Sequence, residues 1–222
     1  MRSHLIFAVA FSTSVFCADP LKVSDLRLSV AAGKMNNYNS AYSYTEGSNS
    51  YYSSGRATSN EAPQTLRVFR LIYTSGLIKD KGGLLFGVGF QHFSSSETYD
   101  GEKFDSNATG LQGKVAYGMR LGDNAHFELG PFVGAGLIEV EDADITNGLQ
   151  MDRATGDGTF MQLGMEAGAY VALMQHLVLG VFVSVDYTFA NWDARFPKTG
   201  GTYSASADWS AVLGGVSMGF RF

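Results

Sequence analysis

Val212-Leu213-Gly214-Gly215-Val216-Ser217-Met218-Gly219-Phe220-Arg221-Phe222 alternates apolar with small or polar residues up to a terminal aromatic. In an extended chain Phe222, Phe220, Met218, Val216 and Val212 share one face. Arg221, Gly219, Ser217 and Gly215 share the other, because side chains alternate with period 2. A soluble edge strand that closed on exposed aromatics would invite edge-to-edge association. A strand whose apolar face meets lipid carries no such penalty, so this segment predicts a membrane-facing strand.

The same alternation recurs seven times upstream, over about 24–33, 66–78, 84–93, 110–121, 126–138, 160–173 and 177–189. Leu84, Phe86, Val88 and Phe90 oppose Gly87, Gly89 and Gln91, and Met161, Leu163 and Met165 oppose Gln162, Gly164 and Glu166. Pro131 is a blemish in the fifth segment, since proline belongs at bulges or edges. The connections alternate in length. Lys79–Gly83, Gly122–Asn124 and Gln175–His176 are short, while 34–65, 94–109, 139–159 and 190–204 are long. No stretch reaches the roughly 20 apolar residues of a membrane helix. The pattern predicts an all-β fold, a closed eight-stranded antiparallel up-and-down transmembrane β-barrel. Short turns then face the periplasm, the four long loops are extracellular, and an even strand count puts both termini in the periplasm.

The second face separates a membrane barrel from a soluble one. A solvated face carries many charges, but here it is mostly Gly, Ala and Ser, and charged residues are only 17 % of the chain. That composition suits a lumen barely wide enough for side chains. Arg27, Arg70, Lys114, Arg120 and Arg221 fall on this face with Glu128, Glu166 and Asp186. The two signs are expected to pair as an ion network that plugs the lumen, because an unpaired buried charge is costly. A gate or narrow channel is the competing reading. The net charge of −5 gives no reason to expect a nucleic-acid partner.

The closing segment resembles the last strand of bacterial outer-membrane β-barrels, and the whole chain after residue 18 resembles the small OmpA/OmpX-type barrels. The resemblance rests on pattern and on Phe222, so it implies fold and location more than activity. It implies that Phe220 and Phe222 belong to a signal read by the barrel-assembly machinery. It also implies outer-membrane lipid and lipopolysaccharide as surroundings, a monomer, and no cofactor.

Residues 1–18 read as a secretory signal, with Arg2 ahead of the apolar run Leu5–Phe11 and small residues before Asp19-Pro20. The cut falls after Cys17 or after Ala18; removal after Ala18 leaves a barrel domain over 19–222 without Cys17, the sole cysteine, and hence without disulfides.

Function is expected in the loops, in a structural or surface-interaction role. Tyr38, Tyr42, Tyr44, Tyr51 and Tyr52 stand amid Ser, Asn and Gly in the first, the chemistry of an adaptable binding surface, so an extracellular protein or glycan is the expected partner. The third loop is acidic, with Glu139, Glu141, Asp142, Asp144, Asp152 and Asp157 against Arg153. Its run from Asp142 resembles a calcium loop, but Gly148 comes one position late and Arg153 stands where the closing Glu belongs; no metal site is assigned. His92-Phe93-Ser94 resembles the His-x-Ser of lipid A 3-O-deacylases, which also need a Glu, here Glu97 or Glu102. The family carries the motif in its C-terminal half, so its position departs here, and a non-enzyme is expected.

Overall fold

A computed structural model describes residues 19–46, 49–57, 65–99, 102–146, 150–174, 176–197 and 200–222. Residues 1–18, expected to be a secretory signal, lie outside the described residues, Cys17 among them. Nine strands follow in chain order: β1 (Leu21–Glu46), β2 (Asn49–Ala57), β3 (Thr65–Ile78), β4 (Gly83–Tyr99), β5 (Glu102–Arg120), β6 (Ala125–Thr146), β7 (Gln150–Leu173), β8 (Leu177–Arg195) and β9 (Thr202–Arg221). From β3 onward each strand pairs antiparallel with the next, and β1 pairs with both β3 and β9. Eight strands therefore close a ring, and β2 folds back on the upper part of β1 as a hairpin from Tyr38 to Ala57.

Following directly opposed residues around the ring gives Asp25, Thr74, Gly87, Lys114, Phe132, Gly164, Asp186, Ala211 and then Met35. The path returns to β1 ten residues beyond its start. That stagger tilts the strands and fixes the barrel width, and eight strands leave room only for side chains.

Burial alternates strictly, as along β8 from Leu177 to Arg195. The outward set is apolar and exposed: Phe86, Val88, Phe90, Leu111, Val133, Met161, Leu163, Val181 and Val216 each show more than half of their surface. An apolar belt continuous around the barrel is stable only against hydrocarbon, since monomeric soluble proteins rarely leave large apolar patches open. Pro131 sits in this belt, where β6 still pairs with β7 but the β5 ladder lapses between Lys114↔Phe132 and Tyr117↔Leu129. Its missing N–H leaves no donor stranded there.

Most of the described residues in the long loops expected from the sequence are instead strand. β4 runs to Tyr99 and β5 begins at Glu102; β6 reaches Thr146 and β7 starts at Gln150. The 24 residues of β7 rise roughly 60 Å at ~3.3 Å per residue and a tilt of ~40°, well over twice the ~25 Å belt. The reason is a second core above the belt. Met35, Leu66, Val68, Phe93, Ile138, Val140, Phe160, Trp192, Tyr203, Trp209 and Leu213 pack inside the upper barrel as one cluster. Polar outer residues alternate with them, so those segments satisfy water outside and each other inside.

A β-bulge between Asn36 and Asn39, with Asn37 at φ 53°, interrupts the β1–β9 register. Below it the odd-numbered residues of β1, such as Asp25 and Arg27, face the lumen. Above it the parity is reversed. Tyr38 packs on the interior core and Asn39 bonds Asp208 on the outside.

Candidate functional site

The lumen is layered. At the short-turn end Val23, Ile78, Leu85 and Ala116 form a small apolar floor. Above it lies the ion network. Arg27 Nη2 contacts Glu128 Oε1 at 2.6 Å and Asp25 Oδ2 at 3.0 Å. Lys114 Nζ bridges Glu128 (2.7 Å) and Glu166 (2.9 Å), and Glu166 in turn holds Arg70 Nη1 at 2.7 Å. Arg221 donates twice to Asp25, from Nε at 2.7 Å and Nη2 at 2.9 Å. The Arg27 guanidinium lies 3.8 Å over the Tyr170 ring, which also stacks on His126. All these charged side chains are buried. Narrow glycine-lined walls make that possible, because the strands opposite the long residues supply no bulk: Glu128 faces Gly118 and Gly168, and Glu166 faces Gly130.

Arg120 is a correction. It was expected in this network, but it sits at the short-turn rim, donating to Asp123 Oδ1 at 2.9 Å and to the carbonyls of Gly122 and Asp19. One position before a turn, it has carbonyls within reach that a mid-strand residue lacks. Asp25 and His126 were missed. Asp25 lies at the start of the first alternating segment, on the same face as Arg27, and His126 opens a strand beside a turn.

A third layer, of Gln91, Gln112, Gln162, Ser184, Asp186 and Thr188, separates the ions from the upper core, and all six are buried. Gln91 and Gln162 lean over Gly134, where an added Cβ would meet the Gln91 amide at 2.3 Å and the Gln162 oxygen at 3.4 Å. Asp186 makes no ion pair among the described residues, and neither of its carboxylate oxygens has a hydrogen-bond partner there. The upper core then closes the lumen, with Phe93 edge-on to Phe160 at 4.9 Å and to Trp209 at 6.3 Å.

The first-loop tyrosines are strand residues. Tyr38 stacks on Trp209 at 6.3 Å and so extends the core rather than presenting a free ring. Tyr44 stands opposite Tyr51 on β2 and Tyr203 on β9; Tyr42 stands opposite Ala205 and Ser53, and Tyr52 opposite Ser43. The calcium-like run lies on the paired backbone of β6 as far as Thr146, opposite β7, with 147–149 outside the described residues. No cluster of metal-ligating residues occurs among the described residues. His92 and Ser94 do share the outer face just above the belt. His92 Nδ1, however, is 2.9 Å from Thr109 Oγ1, and Glu97 and Glu102 have side chains outside the described ones. At the opposite rim Phe220 stacks on His176 at 5.3 Å and meets Phe222 edge-on at 5.4 Å. The Phe222 N–H closes the ring on the Ser24 carbonyl at 3.0 Å.

Ring closure, strand count and the apolar belt settle the architecture. The chain is an eight-stranded transmembrane β-barrel. In architecture it is like the small outer-membrane barrels that its sequence resembles. Solved structures similar to it include the outer membrane protein OprG from Pseudomonas aeruginosa, at 14 % identity, 90 % of this chain, 97 % of that chain and a TM-score of 0.45. Ail, the attachment invasion locus protein of Yersinia pestis, follows at 12 %, 88 %, 98 % and 0.34. Neisserial surface protein A gives 16 %, 88 %, 97 % and 0.34. No protein-family model and no curated protein sequence matches the chain. Likeness at this level assigns no ligand and no activity to the barrel.

Proposed function

We propose that this chain is a non-conducting outer-membrane surface protein that acts through the outer wall and hairpins standing above its apolar belt. The observation that carries the reading is the filled interior: among the described residues, floor, ion network, amide layer and aromatic core succeed one another along the lumen. A plugged barrel of this width has only its outside left for recognition. The upper strands offer that outside as Ser, Thr, Asn and Asp on a rigid support, rather than as long loops. An interaction or adhesion role fits this better than transport, and the aromatic plug weighs against the narrow-channel reading. The test is capture of host-cell or matrix components by detergent-purified protein, alongside a version in which Tyr38–Ala57 is replaced by a short turn. Binding lost with the hairpin supports the reading; a long-lived porin-sized conductance in planar bilayers would refute it.

A further inference from the structure

Above the belt, β7, β8, β9 and β1 share a concave stretch of outer wall, a hollow of about 580 Å³. Two neighbouring rows of directly opposed residues line it. The first runs Asp157, Asp193, Ser204 and Ser43 across the four strands. The second, one step nearer the belt, runs Thr159, Asn191, Ser206 and Ala41. Every one of these positions lies on a paired strand, so the hollow is held open by the sheet itself. Its size falls within the roughly 300–1,000 Å³ of small-ligand sites.

The two rows differ in charge. Ser204 Oγ donates to Asp193 Oδ1 at 2.5 Å, and Thr159 Oγ1 donates to Asn191 Oδ1 at 2.8 Å. Accepting through its oxygen, Asn191 keeps its NH2 to donate, while Asp157 and the second oxygen of Asp193 can only accept. The carboxylate row continues on β6 to Glu139, which stands directly opposite Asp157, and all three acids are exposed. No Lys, Arg or His lines the hollow. A phosphate, a sulfate or a sialic acid is therefore repelled. A cationic group would suit the acids, but it carries donors only and leaves the neutral amide and hydroxyl row unmatched. A sugar ring serves both rows. Its hydroxyls donate to carboxylates, in charge-assisted bonds, and accept from an amide.

We infer that this hollow binds a neutral, hexose-containing glycan, with Asp157 and Asp193 accepting from ring hydroxyls and Asn191 donating to one. The inference rests on the surface-interaction reading and gives it a place on the wall and a ligand class. The small residues Ala41, Ser43 and Ser206 leave the ring room to lie against the sheet. The site is external, so it needs no opening of the lumen.

The test passes full-length protein, purified from outer membranes in mild detergent, over immobilised probes. Lactose and N-acetyllactosamine are the neutral probes, sialyllactose and heparin the anionic ones, and an oligo-arginine peptide the basic one. Asp193→Ala removes an acceptor and Ser206→Trp fills the hollow. Ser96→Trp is the control, an equally bulky change at an exposed outer position on β4. Each variant is compared only as the folded barrel, read from its unboiled mobility. Wild type and Ser96→Trp should retain the neutral probes. The other two should bind them about tenfold more weakly, the effect of losing one hydrogen bond to a charged group. Equal binding by all variants overturns the site, as does failure of wild type to retain a neutral probe, or preference for an anionic or basic one. Capture of host-cell components that survives both Ser206→Trp and glycosidase treatment removes this site and leaves the surface-interaction reading standing. Absence of any such capture by wild type overturns that reading itself.

Discussion

Arg27 Nη2 lies 2.6 Å from Glu128 Oε1, a contact between residues 101 positions apart in the chain. It joins β1 to β6, which face each other across the ring, so the bond spans the lumen instead of following the wall. Glu128 also holds Lys114 and His126 and is the hub of the network.

Replacing Glu128 with Leu should therefore cost more than replacing Glu166, which holds two cations. Stripping a partner from a buried pair leaves an uncompensated charge, a loss of about 3–5 kcal/mol. Unfolding by urea in detergent, followed by the mobility difference between boiled and unboiled samples, reads the two losses. Equal destabilisation by Glu128→Leu and Glu166→Leu would show that the hub has no special weight.

Trp209→Ala removes the ring that both Tyr38 and Phe93 pack against. A buried large-to-small change of this kind costs about 3–5 kcal/mol. The loss should fall on the upper barrel, with protease cleavage appearing between Tyr38 and Ala57 while the belt stays protected. Cleavage spread evenly along the chain would mean that the two halves unfold together.

Conductance should stay absent even when the aromatic core is opened. Phe93→Ala with Phe160→Ala leaves the Arg27–Glu128–Lys114–Glu166–Arg70 chain intact below it. Planar-bilayer recordings of this double variant should match wild type. Stable openings would place the principal seal in the upper core.

Deleting Phe222 should lower the folded yield in cells more than the yield of refolding in detergent, because the sequence resemblance makes this residue part of an assembly signal. Equal losses in both settings would make its role the edge-on contact with Phe220 and nothing further.

Ser94→Ala should leave lipid A as wild type leaves it, unchanged by mass spectrometry, since His92 is engaged by Thr109. Loss of an acyl chain with wild type alone would make nucleophile and base a working pair.

Alternation made the belt and most of the lumen legible in the sequence. Gly and isolated charges on one face, with Leu, Val and Phe on the other, fix which side of each strand meets lipid. The same signal named Arg27, Arg70, Lys114, Glu128, Glu166 and Arg221 as inward. It failed where its contrast vanished. In the upper strands the inner residues are widely interrupted by Ser and Gly, so Ser94-Ser95-Ser96 and Trp192-Asp193-Ala194 read as loop. Nothing local marks the bulge at Asn37, because its effect is on parity and not on composition. Arg120 misled because alternation tells the side of the wall but not the distance to its end.

The bulge also sets how the wall can change over time. Above it, each outward position lies between two inward ones that hold the core, so the outer Ser, Thr, Asn and Asp residues touch little that the fold depends on. Substitutions there alter what a neighbour meets and leave the aromatic interior as it was. A population of such proteins could diversify its outermost half one residue at a time while keeping a constant skeleton. A single residue gained or lost near Asn37 would instead exchange the two faces of β1 at once, a change that selection would remove.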